Sequence, residues 1–344
     1  MTLRAAILGG SGFAGAELMR LCATHPEIRP VAVFGDSQAG QSVAEALPHL
    51  AAAYPELVIE RFAPERLDGM DVVFAALPHG ESQKIAGEVL DRGLPFVDLG
   101  ADFRLKSPDD YARWYREPHA APELIGRFVY GLPEIDRAAV QGARAVAAPG
   151  CYPTATILAL KPLVDTGLIE PRGIVVDAMS GVSGAGRGLK QETHFCTVDE
   201  SVAAYGLLSH RHTAEMEQAL SSPGRAAQVL FTPHLVPMNR GMLATCYGVA
   251  TRQMAADAPL EALRAAYADE PFIAVSDRPP QTKWTLGSNA VHLTARYDAR
   301  TGRVVAIAAL DNLVKGAAGQ MLQCANLMLG LPETAGLSTC GVYP

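Results

Sequence analysis

Leu3-Arg-Ala-Ala-Ile-Leu8, Gly9-Gly-Ser-Gly-Phe-Ala-Gly15 and Ala16-Glu-Leu-Met-Arg-Leu-Cys-Ala-Thr24 run in the order apolar strand, glycine turn, helix. Gly10, Gly12 and Gly15 match G-x-G-x-x-G, in which glycines permit a tight turn, let a pyrophosphate approach the backbone and let helix pack on strand. A second strand at Pro30-Val-Ala-Val-Phe34 and a third at Met70-Asp-Val-Val-Phe-Ala-Ala-Leu77 follow, so the turn opens a doubly wound sheet rather than an isolated loop. Gly10, Ser11, Gly12, Phe13 and Gly15 are therefore candidate contacts to a dinucleotide. Asp36, just past the second strand, stands where an acid bonds a ribose 2′-hydroxyl, whereas Ser11, Ser37 and Gln38 suit a 2′-phosphate, so NAD and NADP both stay open on these residues.

The chain has 344 residues, 49% of them hydrophobic, enough for two cored domains, because single cores stop growing near about 250 to 300 residues. A formal net charge of −7 with no basic block argues against a nucleic-acid or anionic-membrane surface and leaves small ligands or protein partners. The six cysteines, at 22, 151, 196, 246, 324 and 340, form no C-x-x-C pair and no zinc-type spacing, which predicts neither a disulfide framework nor a structural metal and fits a reducing cytoplasm. Residues 1 to 20 lack a secretory layout, and the longest apolar runs are far shorter than the roughly 18 residues of a membrane span.

Ala148-Pro-Gly-Cys151-Tyr-Pro-Thr-Ala155 carries the chemistry. Pro153 suits the first position of a helix, the apolar spacing continues to Val164, and Gly167 offers a stop. Cys151 then faces unpaired backbone N–H groups and the positive end of a helix dipole, which favour thiolate over thiol and make the sulfur a nucleophile toward a carbonyl carbon. The competing reading is a small buried core cysteine.

Further candidates flank this nucleophile. Phe96-Val-Asp-Leu-Gly-Ala-Asp-Phe-Arg-Leu105 leads from a strand to a loop where Arg104 either clamps an anion or pairs with Asp98 or Asp102. Gly173-Ile-Val-Val-Asp-Ala-Met179 is a strand running into Ser180-Gly-Val-Ser-Gly-Ala-Gly-Arg-Gly188, a glycine-rich loop that presents N–H groups to an anion or serves as a connector. Alternating segments at 227–232, 243–250, 290–296 and 303–308 predict a largely antiparallel sheet and hence an α+β domain. Ser209-His-Arg-His212, ahead of a helical run with Glu215 and Glu217, provides two imidazoles for proton transfer near Cys151, and His194, His234 and His292 read as structural. No carboxylate-paired ligand set is present among the histidines, so no metal is expected.

Taken together, Gly9 to Leu18, Ala76-Leu-Pro-His-Gly80, Val97 to Leu105, Tyr130-Gly-Leu-Pro-Glu134, Pro149 to Ala155, Ser183-Gly-Ala-Gly-Arg187, His210-Arg-His212, Phe231 to Met238 and Asp311-Asn-Leu-Val-Lys-Gly-Ala-Ala-Gly319 resemble the N-acetyl-gamma-glutamyl-phosphate reductases of arginine biosynthesis over nearly the whole chain. The resemblance implies an α/β architecture: an NADP-binding Rossmann-type domain over 1–150, joined by a C-terminal helix over 315–330, and an α+β catalytic and oligomerisation domain with a mainly antiparallel sheet over 151–314. It implies Cys151 as nucleophile and His210 as acid/base group, with His212 close behind on the substrate side. Arg104, Ser183 and Arg187 become candidates for a phosphate and carboxylate clamp, and Ser183, Gly184 and Asn312 for the nicotinamide end of NADP. A small acyl-phosphate substrate, a homo-tetramer or homo-dimer and a cytoplasmic location follow from the same resemblance. After the second strand the chain carries Gly35-Asp36 where many members carry basic or small residues. The alternatives are a related reductase of aspartyl or aminoadipyl phosphate, because a pocket discriminates one methylene by only about 1 to 3 kcal/mol, and a dinucleotide-sensing protein with an inert cysteine.

Overall fold

The apolar strands of the first half assemble, in a computed structural model describing residues 2–344, into a seven-stranded all-parallel sheet. Its strands are β1 (Leu3–Leu8), β2 (Ile28–Phe34), β3 (Ile59–Glu60), β4 (Val72–Ala75), β5 (Phe96–Asp98), β6 (Phe128–Tyr130) and β7 (Ala145–Ala147), in the order β3-β2-β1-β4-β5-β7-β6. Ala5 to Leu8 of β1 and all of β4 are buried, as central parallel strands covered on both faces require. Helices α1 (Phe13–Ala23), α2 (Val43–Ala46), α3 (Ser82–Asp91), α4 (Pro108–Tyr115) and α5 (Pro133–Gln141) connect them, and a C-terminal helix, Gly319–Met328, returns to this unit. By internal packing the unit comprises, among the described residues, 2–149 and Ala317–Leu337. Strand order reverses beside β1, which puts the switch point of the sheet, the ordinary ligand crevice of such folds, between the carboxyl ends of β1 and β4.

A buried carboxyl pair lies at the end of β5 and in the loop that follows it. Asp102 reaches back to the start of α3, accepting from Gly80 N (2.9 Å), Gln83 N (3.1 Å) and Ser82 Oγ (2.8 Å), and so does the work of a missing local N-cap. His79 Nδ1 lies 2.9 Å from Asp102 Oδ1. Burial alone would raise the Asp102 carboxyl, yet His79 and these donors outweigh it and hold the group at about 2. Asp98, fully buried, goes the other way: burial, aided by the nearby Asp102 charge, outweighs the hydrogen bond that the Gly100 amide donates to Oδ1 and pushes it up to about 7. Because the unfolded carboxyl ionises near 3.8, the native state holds the extra proton between about pH 4 and 7, and the contribution of Asp98 to stability falls as pH rises through that window. Asp98→Asn is expected to gain stability relative to wild type on going from pH 4 to pH 8, by on the order of a few kcal/mol, as measured by denaturant titration at each pH. A pH-independent difference between the two proteins would show that Asp98 ionises normally.

The second unit, Gly150–Gly316 with Ser338–Pro344, holds a mixed seven-stranded sheet. Strands β8 (Ile174–Gly181), β9 (Ala203–Ala204), β10 (Val229–Val236), β11 (Met242–Val249), β12 (Ile273–Val275), β13 (Val291–Asp298) and β14 (Arg303–Leu310) lie in the order β12-β13-β14-β11-β8-β10-β9, with β8–β10 and β12–β13 parallel and the other four pairs antiparallel. Period-two alternation marks β8, β10 and β11: one side of the sheet is buried under helices α6 (Cys151–Asp165), α8 (His212–Leu220) and α9 (Ala258–Ala266), and the other carries Val175, Asp177 and Met179 in register with Leu230, Thr232 and His234. The remaining helix of the unit, α7 (Phe195–Val198), lies in the long connection from β8 to α8. No helix among the described residues is long and apolar enough to cross a membrane.

Candidate active site

In the first unit the glycine turn is shaped by close approaches as much as by torsion. Gly9 has φ +78°, and the amides of Gly9 and Gly10 both donate to Phe34 O, which ties the turn to β2. A methyl group on Gly10 would stand 2.3 Å from Val33 Cγ1, and one on Gly15 would stand 2.3 Å from Gly9 O. Gly12 caps α1 with extended backbone and no side-chain hydrogen bond, and no acid occupies the first turn, so the positive helix end is left to an anion. These features fit the pyrophosphate of a dinucleotide. Phe13 is 40% exposed at the start of α1, and Ser37 and Asp36 are exposed beyond β2. The Ser11 hydroxyl packs against Gly35, where a methyl group would meet it at 2.7 Å.

Arg104 belongs to this unit and is buried; its guanidinium donates to Leu99 O at 2.7 Å beside Asp98. The other candidate clamp residues, Ser183 and Arg187, lie in the second unit.

In the second unit Cys151 is the first residue of α6, and Gly150 is the N-cap. The helix therefore begins two residues earlier than Pro153 suggests; proline is tolerated throughout a first turn, where no intrahelical partner awaits its missing N–H. Pro162 also lies inside α6, whose interior is otherwise almost wholly buried. The Gly150 amide donates to Glu215 Oε1 at 2.8 Å, and Glu215 is 1% exposed on α8, one turn after His212.

His210 sits in a ring of aromatic groups. Its imidazole lies edge-on to Tyr152 (centroids 5.7 Å apart), Tyr205 (5.5 Å), Phe231 (5.3 Å) and His212 (4.7 Å). Tyr152 follows Cys151 directly, is buried, and has its phenol raised by burial and by the neighbouring Tyr205 and Cys151; Tyr205 Oη donates to Tyr152 Oη at 3.0 Å, and Tyr152 Oη donates to His234 O at 3.2 Å. Burial and the charge of Arg211 lower His210 to about 4, so the ring is neutral at physiological pH. His210 Nδ1 accepts from the His212 amide at 3.2 Å, which leaves the ring proton on Nε2. The site thus offers one neutral N–H donor from Nε2.

Ser183 and Asn312 come together: Asn312 Nδ2 donates to Ser183 Oγ at 2.9 Å, while Asn312 Oδ1 accepts from Gly241 N at 2.8 Å. Asn312 is 2% exposed, so this amide already pins the β8 loop to the turn before β11. A methyl group on Gly184 would meet Ser180 Oγ at 2.8 Å. Arg187 lies exposed farther along the loop.

Sequence reasoning missed Tyr152, Tyr205, Phe231 and Glu215 as parts of the site. The spacing of Glu215 to His212, three residues on a helix, was a usable signal; Tyr205 lies in an irregular connection and left none.

Comparison with known proteins agrees with this anatomy. Residues 4–143 match the family model "Semialdehyde dehydrogenase, NAD binding domain" and residues 151–312 match "Semialdehyde dehydrogenase, dimerisation domain". The N-acetyl-gamma-glutamyl-phosphate reductases of Symbiobacterium thermophilum and Paracoccus denitrificans are 49% and 48% identical to the chain, each aligned over the full length of both proteins. Among solved structures, aspartate semialdehyde dehydrogenase II of Vibrio cholerae complexed with ASA superposes with a TM-score of 0.71 at 17% identity, over 96% of this chain and 99% of that one. The aspartate semialdehyde dehydrogenase of Candida albicans with NADP gives 0.64 at 16% identity, over 96% and 99%. These two show the fold alone. With a dinucleotide-type glycine turn, a cysteine opening a helix and full-length relatives of one name, the chain belongs to the N-acetyl-gamma-glutamyl-phosphate reductase family.

Proposed function

We propose that this protein reduces N-acetyl-gamma-glutamyl phosphate to N-acetyl-glutamate semialdehyde with release of phosphate, using NADPH and a thioester on Cys151. The observation that carries the reading is the placement of Cys151 at the amino end of α6, beside the aromatic ring that holds a neutral His210. The Cys151 thiolate attacks the acyl phosphate carbon, the C–O bond to phosphate breaks with its electron pair leaving on inorganic phosphate, and the acyl group stays on sulfur. NADPH, when bound, would supply the hydride for reduction of this thioester; the carbon–sulfur bond then breaks and Cys151 returns to the thiolate. His210 Nε2–H donates to the oxygen on which negative charge develops in both steps, a role that a neutral imidazole fills. Glu215 holds the Gly150 amide and so fixes the residue from which α6 starts. Arg187 and His212 serve the phosphate and carboxylate of the substrate, and Ser183, Gly184 and Asn312 would hold the nicotinamide end of NADP. Gly10, Gly12 and Gly15 with the Ser11 and Phe13 amides would cradle the pyrophosphate, and Ser11, Ser37 and Gln38 would take the 2′-phosphate of NADP in preference to NAD. Arg104 acts through the loop it braces.

The assay that tests the substrate runs the reaction backwards. With phosphate and NADP⁺, kcat/KM for N-acetyl-glutamate semialdehyde is expected to exceed those for aspartate and aminoadipate semialdehydes by at least about 10-fold, the lower end of what one methylene supplies. Equal values, or preference for another aldehyde, would reassign the substrate.

A homo-oligomer follows from the open side of the second sheet. Met179 (43% exposed) and Leu230 (51%) sit on that side, and Phe195, Leu207 and Leu208 in the connection to α8 are more exposed still. Monomers rarely leave so much apolar surface in water. A second copy of this chain packs there, giving a dimer or a dimer of dimers. Leu230→Arg is expected to reduce the assembly to smaller species in light scattering; an unchanged mass would place the interface elsewhere.

A further inference from the structure

The segment after β14 departs from an ordinary helix start. Val314–Ala318 forms a π-turn, with Gly316 N donating to Asp311 O at 3.0 Å, five residues back. Such wide turns are rare and concentrate at functional sites. Asp311, Asn312 and Lys315 hold this one in place. The fully buried Asp311 carboxylate accepts from Leu313 N (2.8 Å), Val314 N (3.2 Å) and Gly287 N (2.7 Å), and Arg240 Nη1 stands 3.4 Å away. Asn312 is fixed through Gly241 and Ser183, and buried Lys315 lies 5.8 Å from the centre of the Phe272 ring.

The turn ends against the nucleophile. A Cβ built on Gly316 would lie 2.7 Å from Cys151 Cβ, closer than real side chains approach, and 3.3 Å from Cys151 Cα. Gly316 is not among the glycines with positive φ, so its backbone does not call for glycine; the space does. From the other direction Glu215 holds the Gly150 amide. The first residue of α6 is thereby clamped between a buried carboxylate and a side-chain-free wall.

We infer that Gly316 is a positioning residue for Cys151: the π-turn presses a bare backbone against the Cys151 Cβ and sets where the sulfur stands at the helix end. The inference rests on the reading of Cys151 as nucleophile. Since displacing a reacting group by about 1 Å costs on the order of 10²-fold in rate, Gly316→Ala should lower kcat by about that factor, leave the KM for NADPH within about twofold, and slow alkylation of Cys151 by iodoacetamide at least about tenfold at fixed pH.

The experiment compares wild type, Gly316→Ala, Cys151→Gly and Cys151→Gly/Gly316→Ala. Melting temperature is read for all four, and kcat, KM and Cys151 alkylation, followed by peptide mass, for the first two. The expected result is the kinetic pattern above together with positive coupling in the melting temperatures: removing the Cys151 side chain makes room, so the alanine costs clearly less in the Cys151→Gly background. If Gly316→Ala is too unstable to purify, the double variant must recover a cooperative melt. Wild-type alkylation and kcat in Gly316→Ala, or an alanine cost that is the same in both backgrounds, would overturn the inference. If wild-type Cys151 itself alkylates as slowly as an ordinary thiol, the nucleophile reading fails instead; the melting cycle still reports on the contact.

Discussion

Cys151→Ser is expected to lower turnover by about 10⁴-fold or more while leaving the affinity for NADPH nearly unchanged. The serine fills the same position at the head of α6, so the fold and the glycine turn are untouched. What is lost is acidity: a thiol ionises far more readily than an aliphatic hydroxyl, and the amino end of a helix favours the anion. An alkyl ester, even if formed, is also a poorer hydride acceptor than a thioester. Steady-state rates with phosphate and semialdehyde, alongside fluorescence titration of NADPH, check both halves. A serine variant at near wild-type rate would remove the covalent route.

His210→Asn should reduce kcat by about 10²- to 10⁴-fold, and its companion His210→Gln separates two roles for the ring. The proton of the neutral imidazole sits on Nε2, because Nδ1 accepts the His212 amide. Glutamine places an amide N–H near the Nε2 position, and asparagine does not reach it. If His210 acts as a fixed donor to developing negative charge, His210→Gln recovers most of the rate that His210→Asn loses. A glutamine variant as slow as the asparagine variant would show that a proton is transferred. The pH profile gives an independent reading. With His210 lowered to about 4 by burial and by Arg211, kcat/KM should show no inflection at the usual histidine value near 6.5 arising from this residue, and its neutral donor should persist until pH falls toward 4. The same shift makes a sign prediction for stability. The unfolded histidine takes up a proton below about 6.5 while the native one resists, so this group favours unfolding progressively as pH falls from 6.5 to 4.

How far the sequence was readable follows from the range of the interactions involved. The glycine turn is local: strand, turn and helix are contiguous, and the glycines at 10 and 15 are required by Val33 and by Gly9 itself, close in sequence or in the adjacent strand. The placement of Cys151 at a helix start was legible for the same reason, though the boundary lay two residues earlier because proline is permitted anywhere in a first turn. The long alternating strands of the second sheet announced themselves, whereas the two-residue β3 and β9 are too short to leave a pattern. The site itself was half legible. Cys151 and His210 stand out by residue type, but the aromatic ring joining them draws Tyr205 from an irregular connection and Phe231 from β10, a meeting that only tertiary packing makes. Asn312 stands out in the sequence only as part of a motif, and its contacts with Gly241 and Ser183 are made by tertiary packing that the motif does not reveal. The π-turn left no signal either, because apolar spacing does not tell a single wide turn from the α-helix that continues from Gly319.

The central claim is a covalent acyl group on one sulfur, and mass spectrometry reads it directly. The enzyme is mixed with N-acetyl-gamma-glutamyl phosphate in the absence of NADPH, quenched in acid and digested. The account predicts one N-acetyl-glutamyl group per chain, on the peptide containing Cys151, discharged when NADPH is added before the quench. An unmodified Cys151 peptide under conditions that support full turnover on NADPH addition, or an acyl group on another residue, would contradict it.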